Sequence, residues 1–134
     1  MLWSDARYNE GLCLFAEGHW FEAHEVLELL WKEQPQGLDR RFLQGLIQLA
    51  VSLEHWRRGS PRSAWGQWEK AKEKLVPLPS PYGGLDVEAL LRDFQAYYED
   101  VALEARVAGE DAPLRDGHRP PPVPRYADGS LVGR

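Results

Sequence analysis

Only one cysteine, Cys13, stands among the 134 residues, so neither an internal disulfide nor a cysteine-built zinc site can form. Threonine is absent, and asparagine, isoleucine and methionine occur once each. Proline occurs ten times and arginine outnumbers lysine, a composition poor in thermolabile residues that suggests a thermophile. No stretch approaches the ~18–20 consecutive apolar residues of a membrane-spanning helix. The start, Met1-Leu-Trp-Ser-Asp-Ala-Arg, lacks the basic opening and apolar run of a secretory signal. A cytoplasmic protein with no membrane partner is the expectation. An excess of basic charge is missing too: the net charge is −5, which argues against nucleic acid, because neutralising phosphates needs a basic surface. The acidic excess lies in residues 77–134, where 6 Lys+Arg face 10 Asp+Glu; residues 1–76 are nearly balanced at 10 against 11.

What is present is helix. Hydrophobic residues make up 43% of the chain and aromatics 11%, with six Trp, enough to bury a core without covalent staples. A first helix is predicted over about 4–17, with Ser4 or Asp5 as N-cap, Gly18 past its end, and Tyr8, Gly11, Leu12 and Phe15 as its apolar stripe. A second runs from about Trp20 to Gln34, stopped by Pro35 and Gly37, with Trp20, Ala23, Val26, Leu27, Leu30 and Trp31 inward. A third, capped by Asp39, ends at Arg57 and Arg58 before Gly59 and is apolar almost all round, so it should be central. A fourth opens on Ser60-Pro61, carries Ala64, Trp65, Trp68, Ala71 and Leu75, and closes at Pro77 and Pro79. A fifth, capped by Asp86, reaches about Arg106 with Val87, Leu90, Leu91, Phe94, Tyr97, Tyr98 and Val101 inward.

The fold class expected is therefore all-α: an antiparallel bundle of about five helices, two helical hairpins plus a C-terminal helix, over residues 1–106. Residues 107–134 form a Pro/Gly-rich tail of extended, polyproline-like chain, held down through Tyr126, Leu131 and Val132. The hairpins echo one another: Gly18…Ala23…Leu27-Glu28 aligns with Gly59…Ala64…Trp68-Glu69, 41 residues on.

Two polar rows interrupt the apolar helices. His24 and Glu28 lie four apart on one side of helix two, with Glu25 nearly opposite. Gln44, Gln48, Ser52 and His55, spaced four, four and three, line helix three. If the 35–38 turn folds the helices back antiparallel, the rows meet. Spacing alone does not specify chemistry here: the His-Glu-x-x-His zincin pattern, a glycine-rich phosphate loop and a Gly-x-Ser-x-Gly elbow are all absent. Cys13 reads as a buried, inert thiol and His19 as a capping or surface residue. Trp3 and Trp65 could form an exposed partner patch.

The run Tyr8-Asn-Glu-Gly…Phe15…Gly18-His-Trp-Phe-Glu-Ala-His-Glu-Val-Leu-Glu…Trp31, followed by Phe42-Leu-Gln-Gly-Leu-Ile-Gln-Leu-Ala and Gly59, resembles a small all-helical family of bacteria and archaea, domain of unknown function 309. The resemblance covers about residues 8–76. It implies a compact helical bundle, implies no activity, and makes His24, Glu25, Glu28, Trp31, Gln44, Gly45 and Gln48 the family's characteristic positions.

Two functional readings follow. The favoured one is a non-enzymatic binding module, cofactor-free, with a buried polar network between helices two and three and a second copy or another protein as partner. The alternative is a metal-dependent hydrolase with Zn²⁺ or Mn²⁺ held by His24, Glu28 and His55. The first needs side chains in direct contact; the second needs three ligand atoms converging on one point.

Overall fold

The computed structural model describes residues 2–108 and 120–133, with the side chains of 101–108 outside that description. After a short 3₁₀ turn at Leu2–Ser4 come five helices: α1 Ala6–Ala16, α2 Trp20–Glu33, α3 Leu38–Arg57, α4 Pro61–Leu75 and α5 Val87–Ala108. α1 packs on α2, α2 on α3 and α3 on α4, so consecutive helices form two stacked antiparallel hairpins. The all-α expectation holds, and α5 runs two residues past the anticipated end. Val101 and His118 lie outside the described side chains.

The two hairpins turn in the same way. Gly18 (φ +85°) and Gly59 (φ +83°) follow α1 and α3 in the left-handed conformation that glycine adopts without steric cost. One residue on, the His19 amide donates back to the Leu14 carbonyl and the Ser60 amide to the His55 carbonyl, both at 2.9 Å. Ala23 and Ala64, five residues past each glycine, are fully buried. The 41-residue echo is thus a repeated turn.

Asp5 caps α1 by accepting from the Arg7 amide at 2.8 Å. Arg7 then reaches across to Glu33 with two 2.7 Å bonds, tying the start of α1 to the end of α2. The Arg7 side-chain and backbone hydrogen bonds lower the Asp5 carboxyl to about 2. The N-cap expected of Asp39 falls instead to Gly37, with no side-chain cap. Asp39 lies inside the first turn of α3 because its carboxylate is taken by the Tyr82 hydroxyl.

The core is one cluster into which every helix feeds. Trp68 stacks against Phe94 at 5.6 Å and Tyr98 at 6.1 Å, and Phe15 meets Phe94 edge-on, so α5 closes over α1, α3 and α4. Val26 and Trp31 are half-buried rather than core. Cys13 is exposed, contrary to expectation, because the core side of α1 is filled by Tyr8, Gly11, Leu12 and Phe15.

Residues 120–133 return to the body. The Asp86 amide donates to Arg125 O and the Ala127 amide to Gly84 O, each at 2.9 Å, while Arg125 pairs with Asp93 at 3.3 Å. Val132 is buried and Tyr126 half-buried, but Leu131 is 40% exposed. Leu131 bridges antiparallel to Arg125 with its side chain outward, while Val132, in the turn that follows, is turned in.

Candidate functional site

α3 is the helix to understand, because its two sides meet different neighbours. A residue advances about 100° around a helix, so seven residues bring His55 within about 20° of Gln48. Ser52 is rotated about 40° from Gln48 the other way, toward the side that carries Gly45. The row of four therefore splits between two interfaces.

On the α4 side, Ser52 is fully buried and donates its single proton to the Ala64 carbonyl at 2.6 Å. The Tyr98 hydroxyl then donates to Ser52, and burial holds that phenol far above its ordinary range. Gly45 lets α4 approach: a Cβ there would stand 2.6 Å from Leu75. Ser52 is thus separated from the other candidates.

On the α2 side, His24 Nε2 stands 2.7 Å from Glu28 Oε2, and Lys32 approaches the other Glu28 oxygen at 3.5 Å. Trp31 is covered by the Arg40 guanidinium, 4.1 Å from its ring centroid. Trp31 Nε1 and Gln48 Oε1 are buried without a hydrogen-bond partner among the described residues. The indole nitrogens of Trp56 and Trp68 are in the same position, so an unpaired indole alone marks no site. Gln44 is half-buried and Glu25 exposed. The eight candidates do not form one connected network.

What the α2–α3 side does form is a cleft of about 170 Å³. Trp20, Phe21 and His24 line it from α2; Val51, Glu54, His55 and Arg58 line it from α3. His24 and His55, predicted together, do share it. Phe21, 45% exposed at the rim, packs edge-on against His24 at 6.1 Å. Arg58 Nε donates to Glu54 at 2.9 Å while its guanidinium sits 5.9 Å from the Phe21 ring. Arg57 stacks on Trp20 at 3.9 Å and donates to the Gly18 carbonyl at 2.7 Å, bracing the first turn against the end of α3. The imidazole of His55 makes no hydrogen bond, ion pair or ring contact among the described residues. Nor do any three His, Cys, Asp or Glu side chains there stand close enough to share an ion.

Sequence reasoning missed Phe21, Val51, Glu54 and Arg58. The signal existed: 51, 54, 55 and 58 are spaced three, one and three, one strip of a helix, as are Phe21 and His24. It was masked because Arg58 reads equally as the basic end of a helix and Phe21 as a scattered surface aromatic.

Fold and cleft together define an all-helical double-hairpin protein with a small aromatic and basic cleft between its middle helices. The chain is similar to the family described as domain of unknown function (DUF309), whose model matches residues 8–66 and so contains every cleft residue. The uncharacterized protein YpuF of Bacillus subtilis is 32% identical over 102 residues, covering 72% of this chain and 57% of that protein. An uncharacterized protein of Aquifex aeolicus is 27% identical over 84 residues, covering 63% of this chain and 24% of its own. The chain thus spans little more than half of the first relative and about a quarter of the second. No solved structure matches it. Among the described residues no helix is long and apolar enough to cross a membrane.

Proposed function

We propose that this protein is a non-enzymatic binding module whose working surface is the α2–α3 face, with the cleft at its centre. The observation that carries the reading is the cleft's size and lining. At about 170 Å³ it is below the roughly 300–1,000 Å³ of pockets that enclose a drug-sized ligand, and it suits one side chain of a larger partner. Aromatic and arginine side chains at such a spot are the residue types that dominate protein–protein interfaces. Phe21 at the rim and Arg58 beside it supply both. A second copy of the chain or a different protein would be that partner, and the reading needs no cofactor.

A photo-crosslinking residue at position 21 tests this in cells. One discrete protein adduct is expected from position 21, lost when Val51→Arg fills the cleft. Position 69, on α4 across α3, should give none. Equal crosslinking from both positions, or an adduct indifferent to Val51→Arg, would contradict the reading.

A further inference from the structure

We infer that the α2–α3 cleft recognises a carboxylate carried on an apolar or aromatic stem, such as an acidic side chain or chain terminus of the partner. This rests on the binding reading above and names its chemistry. Glu54, which lines the cleft, and Glu28 beside His24 are already occupied. Glu28 is shared by His24 and Lys32, and Glu54 by Arg57 and Arg58, at 3.7 Å and 2.9 Å. Two guanidinium groups on one carboxylate leave a surplus positive charge at the mouth of the cleft, on a chain whose net charge is −5.

The cleft's unused donors sit on Arg58 and His55. Arg58 spends Nε on Glu54, and its two terminal nitrogens make no hydrogen bond among the described residues. His55 has both ring nitrogens uncommitted there, so one N–H is free in either tautomer, whereas His24 has its Nε2 proton on Glu28. The terminal nitrogens of Arg58 and an imidazole N–H of His55, lining one small space, match a planar oxyanion. The remaining walls, Trp20, Phe21 and Val51, are apolar and match the stem that carries it. A cation finds no free acid here, and a neutral ligand would leave the surplus charge unanswered.

The full chain is titrated with benzoate, and with benzamide as its neutral counterpart of the same shape. Trp fluorescence and the imidazole proton resonances of His24 and His55 are followed. Benzoate should shift both histidines saturably, and inorganic phosphate should compete weakly because its tetrahedral oxygens fit the planar fork less well. Arg58→Gln, an exposed and structurally mild change, should weaken benzoate about tenfold, the loss expected for one charge-assisted hydrogen bond. His55→Asn provides a second variant, and a cooperative melt confirms that each is folded.

Benzamide binding as tightly as benzoate would overturn the carboxylate assignment while leaving the cleft as a binding surface. Benzoate affinity unchanged in both variants would overturn it as well. The absence of any saturable response to either ring compound would remove the cleft itself, and with it the reading it rests on.

Discussion

The two sides of α3 are built on opposite terms. Toward α4 the interface is closed: Gly45 admits Leu75, Trp68 is fully buried among the rings of α5, and Ser52 finds both an acceptor and a donor. Toward α2 a cleft stays open, Gln48 Oε1 is buried without a partner among the described residues, and charged side chains pair along the rim. A closed interface holds a fold together. An open one on the same helix is free to engage something else, since natural sequences depart from local consistency chiefly where function requires it.

The comparison can be broken by substitution. The largest effect is expected from Trp68→Ala, which empties the center of the closed side and should cost about 3–5 kcal/mol in chemical denaturation. A loss under about 1 kcal/mol would mean the ring stack does not anchor the bundle. Next, Ser52→Ala should destabilise by about 1–3 kcal/mol, because the Ala64 carbonyl and Tyr98 hydroxyl lose their buried partner. The equivalent polar-to-apolar change on the open side, Gln48→Leu, should be neutral or stabilising by up to about 1 kcal/mol, since it removes an unpaired buried acceptor. Similar losses in both would erase the distinction between the two sides of α3.

The smallest effect lies at the far end of α2. The Asp5 carboxyl, lowered from 3.8 to about 2 by its Arg7 hydrogen bonds, supports the fold above its unfolded value, and that support fades as pH falls from about 4 through 2. Carboxyl-carbon NMR should place the Asp5 titration near 2 in the native chain and closer to its ordinary value in Arg7→Gln, where the residue 7 amide still donates. An unmoved midpoint would detach Arg7 from this role.

The helices were legible because several local signals agreed. Asp5 and Asp86 as caps, Gly18 and Gly59 past helix ends and Pro61 at a first turn all pointed to the same boundaries. Asp39 misled because a tertiary partner, Tyr82, claimed the carboxylate that would have capped α3. The candidate site was half legible. Spacing placed His24 beside Glu28 and on the same cleft as His55, but a four-residue step drifts around a helix, so Ser52 passed to the other interface. Arg58 and Phe21 acquire meaning only once α2 lies against α3, a contact no single-helix pattern encodes.

The most direct measurement takes Tm and benzoate affinity together on one protein, Arg58→Gln combined with His55→Asn. A Tm within about 2 °C of the parent, as for surface changes of under about 0.5 kcal/mol, with benzoate binding lost, is the predicted result. A clearly lowered Tm with benzoate binding intact would show these residues serving the fold instead of a ligand, and would contradict the central claim.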